Sequence, residues 1–341
     1  MPPPLALTVG EPAGIGPDIT FAAWRQRTEL GLQPFYLLAD PTFIRMRARR
    51  IAPDLPIAVV EPSAASAAFG DSLPIVDIGV RISAEPGRPD QSSAPAVLAA
   101  IRRAVDDVRT GAAAGVVTNP IAKNVLYRSG FGEPGHTEYL ARLAMESTGI
   151  PVHPVMLLWS PELAVVPVTI HLPLKEVVPT LTTDLIVQTG RIVARDFRER
   201  FGIAHPRLAV AGLNPHAGEE GALGDEDITV VRPAVERLRA DGMDAVGPLP
   251  ADSLFHRDAR ARYDVALAMY HDQALIPIKT LAFDHAVNVT LGLPFVRTSP
   301  DHGTALDIAG TGRARPGSLI AALRLASRLT AKTEPHVASP A

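Results

Sequence analysis

The stretch "SAPAVLAAIRRAVDDVRTGAAAGVVT" (residues 93–118) joins a helical pattern directly to a short apolar run. Its first part carries apolar residues at helical spacing and closes at Gly111, a residue typical of helix C-termini. Its last part, "AGVVT", is an uninterrupted apolar run with the length of a buried strand. A helix that leads straight into a buried strand is the repeating unit of α/β proteins.

The same alternation extends along most of the chain. Apolar runs of strand length predict buried strands, and the amphipathic stretches between them predict helices. The predicted strands are residues 5–9, 35–39, 56–60, 114–118, 163–170, 208–213, 265–270 and 286–292. Because strands that alternate with helices form parallel sheets covered on both faces, we predict an α/β fold.

Composition narrows the class of protein further. A chain of 341 residues suits two domains or one large α/β unit. With 33 basic and 36 acidic residues, the net charge of −3 indicates neither a nucleic-acid nor a membrane partner. There is no cysteine, which excludes disulfides and Cys-ligated zinc. No signal-peptide pattern and no apolar run of about 18 residues are present, so we expect a cytoplasmic protein.

Polar residues follow the predicted strands, where parallel sheets bind ligands. After the first strand, "GEPAGIGPDI" (residues 10–19) either brings backbone N–H groups to a phosphate or forms an ordinary tight turn. After residues 114–118 come "NPIAK" and then "GHTEYL", which puts His136 and Thr137 at a helix start. A helix start attracts anions, although Thr137 could equally be a plain N-cap.

Three predicted strands end in a histidine, namely His171, His216 and His271. Imidazoles that converge on one sheet edge would form a three-nitrogen site with open coordination positions, as in catalytic zinc sites and related divalent-metal sites. A structural role for each histidine is the alternative. Asp252 and Asp272 could orient these imidazoles or could cap turns.

Further along, Lys279, Asn288 and Arg297 suit an anionic substrate such as a phosphate or carboxylate. For Lys279, a solvated surface charge is the alternative. The segment "SPDHGTALDIAGTGRARPGS" (residues 299–318) encloses an Asp and a His between glycine turns, and it predicts a ligand-facing loop.

Together these motifs resemble the 4-hydroxythreonine-4-phosphate dehydrogenase family. The matching stretches cover nearly the whole chain in order: "GEPAGIGPD", "TNPIAK", "GHTEYL", "TIHLPL", "GLNPHAGE", "GPLPADSLF", "AMYHDQ", "NVTLGLPFVRTS" and "DHGTALDIAG". The resemblance implies two α/β/α domains of the isocitrate/isopropylmalate dehydrogenase type, with the active site in the cleft between them. We expect one domain from residues 1–130 plus 290–341, carrying the glycine loops. Residues 131–289 would form the other, carrying the metal ligands and the dimer interface.

The resemblance also implies a reaction in pyridoxal phosphate biosynthesis. 4-Phosphooxy-L-threonine would be oxidised with NAD (or NADP) to 2-amino-3-oxo-4-phosphooxybutanoate, which decarboxylates to 3-amino-2-oxopropyl phosphate. A family member that oxidises another phosphorylated four-carbon hydroxy acid is the alternative. A phosphate acetyltransferase and a non-catalytic binding protein are more distant rivals. The three histidines and the dinucleotide-like loop count against the transferase, and a binding protein would have to keep these polar strand ends without turnover.

The family's functional residues carry over onto positions of this sequence. One divalent metal (Zn, Mg or Co) would be held by His171, His216 and His271, the last contributed across a homodimer with shared active sites. The implied substrate contacts are His136, Thr137, Lys279, Asn288 and Arg297. The implied cofactor contacts are Gly14, Gly16, His302, Gly303 and Asp307. Lys279, Asp252 and a metal-bound water are the candidates for the group that accepts the alcohol proton.

Overall fold

The computed structural model describes residues 2–133 and 135–331, and these form two compact units. The first unit runs to Pro154 and resumes over Leu293–Ala331, and the second is Val155–Gly292. The sequence predicted domain boundaries at residues 131 and 290, whereas the chain passes between the two units after Pro154 and after Gly292. Residues 332–341, which were expected in the first domain, lie outside the described residues. Strands and helices alternate in both units, which confirms the predicted α/β fold. No helix in the described part of the chain is both long and apolar enough to cross a membrane.

The first unit is built on an all-parallel sheet with the strand order β3-β4-β2-β1-β5-β12, numbered along the whole chain. Its strands are β1 (Leu5–Thr8), β2 (Phe35–Ala39), β3 (Ile57–Val59), β4 (Leu73–Asp77), β5 (Val116–Thr118) and β12 (Arg297–Pro300). Its helices are α1 (Gly16–Arg25), α2 (Arg27–Leu30), α3 (Pro41–Ile51), α4 (Ala65–Ala68), α5 (Ala94–Arg109), α6 (Lys123–Arg128), α7 (His136–Thr148) and α14 (Gly317–Thr330). Strands β1 and β2 are fully buried, so the core lies around the centre of this sheet.

Helix α5 is the helix that the opening stretch predicts. It packs against β1 and β2 with one apolar face, and it ends two residues before Gly111, whose φ of 76° only glycine adopts readily. Its buried Asp107 accepts hydrogen bonds from the Tyr36 hydroxyl at 2.7 Å and from Arg103 Nε at 2.7 Å. These bonds join helix and sheet.

The second unit has the strand order β11-β6-β7-β10-β8-β9. Its strands are β6 (Val155–Trp159), β7 (Ala164–Pro167), β8 (Arg207–Ala211), β9 (Asp244–Leu249), β10 (Val265–Ala268) and β11 (Val287–Leu291). Its helices are α8 (Leu174–Thr180), α9 (Thr183–Glu199), α10 (Arg232–Ala240), α11 (Ala251–Leu254), α12 (Arg257–Arg260) and α13 (His271–Ala282). Helix α13 packs on β7 and β10 and buries Ile278 in the core.

The expectation of purely parallel sheets is wrong for the second unit, because β6 is antiparallel to both β7 and β11. A short turn joins β6 to β7. Ser160 Oγ accepts hydrogen bonds from the backbone N–H groups of Glu162 and Leu163, and the Ser160 N–H donates to Leu163 O at 2.9 Å. A connection this short can form only a hairpin, since parallel neighbours need a long crossover. The remaining pairs, β7 with β10, β10 with β8 and β8 with β9, are parallel.

Candidate functional site

Two of the predicted metal ligands lie side by side, beyond the carboxyl ends of two inner strands of the second unit's sheet. Strands β7 and β10 are parallel neighbours, and their pairing continues beyond them, with Thr169 N–H donating to Met269 O at 3.2 Å. His171 follows two residues later and His271 opens α13. Their ring centroids are 5.6 Å apart at an interplanar angle of 43°. The parallel register therefore delivers both imidazoles to the same place.

A cavity of about 320 Å³ opens at this histidine pair. It is lined by Thr169, His171, Leu172, Leu174, Val177, Tyr270, His271 and Asp272. The Asp272 carboxylate lies 2.7 Å from His271 Nδ1, so Nδ1–H donates to it, and in the neutral ring Nε2 then carries the lone pair. This is the tautomer that a metal-ligating histidine needs, held by a neighbouring carboxylate as metal sites commonly require.

His171 and His216 both have left-handed backbones, with φ of 52° and 54°. Each such residue other than glycine costs about 1–3 kcal/mol and persists only where its surroundings enforce it. His216 begins a run of left-handed residues that continues to Glu220, in the turn that follows β8. The buried Asp227 carboxylate holds the start of this run by accepting from the N–H groups of Leu213 and Asn214. Strain of this kind clusters at functional sites.

The third predicted ligand does not join the pair. Within residues 2–133 and 135–331 of one chain, no group of three or more His, Cys, Asp or Glu side chains is arranged to hold a metal ion. His216 is exposed on its own turn, and helix α11, which carries the exposed Asp252, contacts that turn. The chain by itself thus provides two neighbouring imidazoles.

Sequence reasoning missed Gln273, the third residue of "HDQ". Its side chain is buried; it accepts a hydrogen bond from Met269 N at 2.6 Å and donates one to Gly212 O at 2.8 Å. It therefore fixes the start of α13 to the ends of β10 and β8. Lys279 lies in the last turn of α13 with its Nζ 5.4 Å from the Phe283 ring centroid, and Asn288 is a half-buried residue of β11.

The remaining predicted substrate contacts lie in the first unit, beside Thr118 at the carboxyl end of β5. Arg297 is 4% exposed, and its Nη2 donates to Thr118 Oγ1 at 2.7 Å. The same Nη2 lies 3.4 Å from His136 Nδ1. The structure thus brings together Arg297 and His136, which are far apart in sequence, in one buried cluster.

Burial sets the protonation of this cluster. The pKa of His136 is lowered well below its ordinary value by burial first, and then by the positive charges of Arg297 and Lys123. Burial also lowers the pKa of Arg297 to about 10, which still leaves it charged at neutral pH. Because Arg297 can only donate, Nδ1 of the neutral His136 accepts and Nε2 carries the proton. Nε2 is buried without a hydrogen-bond partner among the described residues, so a fixed cation and a neutral N–H donor stand together.

Helix α7 begins at His136 with Gly135 as its N-cap, so the expectation that Thr137 is the N-cap is wrong by two residues. Gly135 has an extended backbone and no side chain to cap the helix. A Cβ added there would lie 3.7 Å from Lys123 Nζ, which places this lysine beside the helix start. Lys123 belongs to the "NPIAK" motif, and the position of that motif after a buried strand was the available signal for it.

In the first glycine loop (residues 10–19), three backbone N–H groups donate hydrogen bonds to acceptors of the same chain. Ala13 N–H donates to Glu11 Oε1, Gly14 N–H to Glu11 O and Ile15 N–H to Thr304 O. These contacts match the tight-turn interpretation better than a phosphate cradle at these three residues. A Cβ on Gly14 would come within 2.9 Å of Thr304 O, so its missing side chain lets the two glycine loops approach. Gly16 similarly packs against Val9 O.

In the second glycine loop (residues 299–318), the predicted cofactor residues lie at the surface. His302, Gly303 and Asp307 are exposed, and nothing lies within 4 Å of a Cβ built on Gly303. Ala305 between them has a left-handed φ of 41°. This loop therefore has room for a ligand beside a strained backbone.

The sequence model of the family described as "Pyridoxal phosphate biosynthetic protein PdxA" matches residues 32–326, which is most of the chain. The chain belongs to the PdxA family. The resemblance seen in the motifs is thereby confirmed.

Two 4-hydroxythreonine-4-phosphate dehydrogenases and one dehydrogenase of another name resemble the chain over almost its full length. A 4-hydroxythreonine-4-phosphate dehydrogenase of Bradyrhizobium diazoefficiens is 63% identical over 336 residues, which are 96% of this chain and 97% of the relative. The crystal structure of 4-hydroxythreonine-4-phosphate dehydrogenase from Klebsiella pneumoniae is 35% identical with a TM-score of 0.84, covering 96% of this chain and 99% of that one. A terephthalate 1,2-cis-dihydrodiol dehydrogenase from Burkholderia xenovorans is 30% identical with a TM-score of 0.63, over 96% and 98% of the two chains.

Proposed function

We propose that the protein is a metal-dependent dehydrogenase that oxidises 4-phosphooxy-L-threonine with NAD or NADP. The product, 2-amino-3-oxo-4-phosphooxybutanoate, then decarboxylates to 3-amino-2-oxopropyl phosphate. The observation that carries this proposal is the buried Arg297–His136 cluster, in a chain 63% identical to a relative named for this activity. A phosphorylated carboxylic acid needs such a fixed cation.

The anionic ends of the substrate are assigned to the first unit. A buried guanidinium offers several N–H donors in a planar fork that matches phosphate and carboxylate oxygens. His136 Nε2–H adds a neutral donor, and Lys123 adds a second positive charge beside the start of α7. The N-terminus of a helix also binds anions, through its free backbone N–H groups and the helix dipole. We therefore assign anion binding to Thr137, in the first turn of α7, as well. We assign further substrate contacts to Lys279 and Asn288 in the second unit.

The residues around His271 fit a divalent metal in part. His171 and His271 offer neighbouring imidazoles, and the Asp272 carboxylate leaves Nε2 of His271 with its lone pair. We propose that His216 completes the set with His171 and His271, one of the three coming from a second subunit. A Zn, Mg or Co ion held there would lower the pKa of the substrate's secondary hydroxyl and stabilise charge on its oxygen.

The redox step takes two electrons and one proton as hydride from the carbon that bears the hydroxyl, and NAD or NADP accepts it when bound. We assign the cofactor to the exposed residues His302, Gly303 and Asp307. Gly14, which packs against Thr304 of that loop, and Gly16 are the further cofactor contacts that we propose. The hydroxyl proton goes to Lys279 or Asp252. The resulting β-keto acid loses CO2 readily, because the electron pair of the breaking bond enters the adjacent carbonyl.

Another phosphorylated four-carbon hydroxy acid is the alternative substrate within the same family. The Arg297–His136 cluster recognises an anion whichever alcohol carries it, so it favours this whole substrate class.

We further propose a homodimer. Helices α8 and α13 carry apolar side chains that are exposed in a single chain, among them Leu174 (70%) and Ile276 (65%). Leu174 also lines the cavity at the histidine pair. A second copy that covers these helices would remove apolar surface from water and could supply the missing metal ligand.

The proposed function is tested by mixing the purified protein with 4-phosphooxy-L-threonine, NAD and a divalent metal, and following the absorbance of reduced nicotinamide. Metal-stripped protein in EDTA is the control. We expect reduction that disappears in EDTA and returns when metal is added. Reduction of equal rate in EDTA would contradict the metal site, and no reduction by metal-loaded, folded protein would contradict the substrate.

A further inference from the structure

Helix α3 reaches both glycine loops through one buried arginine. Arg47 is 3% exposed, its Nε donates to Asp18 Oδ1 at 2.6 Å, and its Nη2 donates to Gly14 O at 2.7 Å. The other oxygen of Asp18 accepts from Gly310 N at 2.6 Å. A single ion pair therefore bonds to the first loop at Gly14 and to the second loop at Gly310.

Further bonds tie the same two loops together. Arg50, one turn after Arg47, donates from Nε to Gly310 O at 3.0 Å. Ile15 N–H donates to Thr304 O at 3.0 Å, and Gly310 fits so closely that an added Cβ would come within 2.8 Å of Pro86. Both carbonyl and amide of Gly310 are thus held by α3 and its partner Asp18. The second loop is fixed at Gly310, only three residues after the exposed Asp307.

A charged pair is a costly way to hold two loops if stability alone is needed. Burying an ion pair gives little net stability compared with apolar packing of the same volume. It does impose direction, because a carboxylate and a guanidinium accept and donate only along fixed lines. The Asp18–Arg47 pair therefore sets position rather than adding hydrophobic stability.

We propose that Asp18 and Arg47 are positioning residues for the dinucleotide. They hold Gly310 and Gly14 so that the exposed part of the second loop, at His302, Gly303 and Asp307, presents a preformed surface to the cofactor. This inference rests on the proposed function, in which that loop binds NAD or NADP. It requires no contact between Arg47 and the ligand.

The test compares dinucleotide binding in Arg47→Met and Asp18→Asn with binding in the wild type, by fluorescence titration with reduced nicotinamide dinucleotide. The control is Asp107→Asn, which alters a partly buried ion pair with Arg103 at 2.7 Å in the same unit and touches neither loop. The KM values for NAD and for the phosphorylated substrate are measured alongside. Arg47→Lys serves as the conservative variant, and it carries the test if Arg47→Met does not fold.

We expect Kd and KM for the dinucleotide to rise about tenfold or more in Arg47→Met and Asp18→Asn, which corresponds to the loss of one charge-assisted hydrogen bond. The KM for the phosphorylated substrate should change far less, Arg47→Lys should recover part of the affinity, and Asp107→Asn should stay within about twofold of wild type. Wild-type binding with unchanged affinity in the Arg47 and Asp18 variants would overturn this inference alone. A wild type that binds no dinucleotide would overturn the proposed function and this inference together.

Discussion

Arg297 and His136 share one buried environment, which leaves Arg297 charged and His136 neutral. Removal from water disfavours the charged form of both, so the pKa of each is lowered. Arg297 begins from so high a value that it remains a cation, whereas His136 becomes a neutral donor. The cluster therefore has one permanent positive charge whose strength does not change across the physiological pH range.

Replacing Arg297 by Met should weaken the enzyme toward its phosphorylated substrate. A hydrogen bond to a charged group contributes about 1.5–3 kcal/mol, so kcat/KM should fall by about tenfold to a hundredfold. Steady-state kinetics with varied substrate would measure this. The control Arg324→Met removes an exposed arginine that donates to Leu30 O and should keep wild-type kinetics. Equal kinetics in both variants would contradict the anion-binding role.

The neutrality of His136 predicts a dependence of stability on pH. Its folded pKa is depressed, so between that value and the unfolded value near 6.5 the unfolded chain binds more protons than the folded one. The free energy of unfolding should therefore fall as pH drops below about 6.5, by at most about 1.4 kcal/mol per pH unit from this residue. Urea denaturation of wild type and His136→Gln at several pH values would show it. Parallel pH profiles of the two proteins would contradict the prediction.

At the scale of elements, the left-handed turn after β8 depends on glycine at one position. Gly218 has φ of 77°, and a Cβ there would come within 2.8 Å of Gly224 O. Gly242 has a similar φ of 81° with nothing within 4 Å, so it isolates the cost of the conformation alone.

Gly242→Ala should cost about 1–2 kcal/mol for its left-handed backbone, and Gly218→Ala should cost more because backbone must also move. Thermal or urea unfolding would measure both values. Because Gly218 lies in the turn that carries His216, Gly218→Ala should also weaken metal binding in a zinc titration. Equal stability of the two variants would show that the turn tolerates a side chain.

Several elements could be predicted from the sequence and others could not. Continuous apolar runs such as "LALTV" and "FYLLA" became β1 and β2, because full burial on both faces leaves that signature. Strand β12 reads "RTSP" and was missed, yet all four residues are buried, with Thr298 Oγ1 donating to Ala322 O at 2.9 Å. Strand β9, "DAVGPL", carries a Gly and a Pro that normally indicate a turn. Polar strands that find partners across the fold carry no local signal.

The candidate site shows the same limit. The strand-end rule predicted His171 and His271, and the parallel register of β7 and β10 explains why they meet. No local pattern could show that Arg297 and His136 would share one cluster, because the bond joins residues 161 apart in sequence. The roles of Gln273 and Arg47 were likewise hidden, since each acts by reaching another element.

At the scale of the whole molecule, the proposed dimer predicts that charge on α13 disrupts assembly. Ile276→Asp places a carboxylate on an apolar position that is 65% exposed in the single chain. Light scattering after size-exclusion chromatography should show a dimer for wild type and a monomer for the variant, with loss of dehydrogenase activity. Val59→Asp, at an exposed apolar position of the first unit, is the control and should stay dimeric. A fully active wild-type monomer would contradict the shared site.

The central claim is that the enzyme oxidises a phosphorylated hydroxy acid held by Arg297 and His136. The most direct measurement compares kcat/KM for 4-phosphooxy-L-threonine and for 4-hydroxy-L-threonine, by absorbance of reduced nicotinamide, in wild type and Arg297→Met. We predict that wild type prefers the phosphorylated substrate by about a hundredfold or more and that Arg297→Met loses most of this preference. A wild type that oxidises both substrates equally, or a variant that keeps the full preference, would contradict the account.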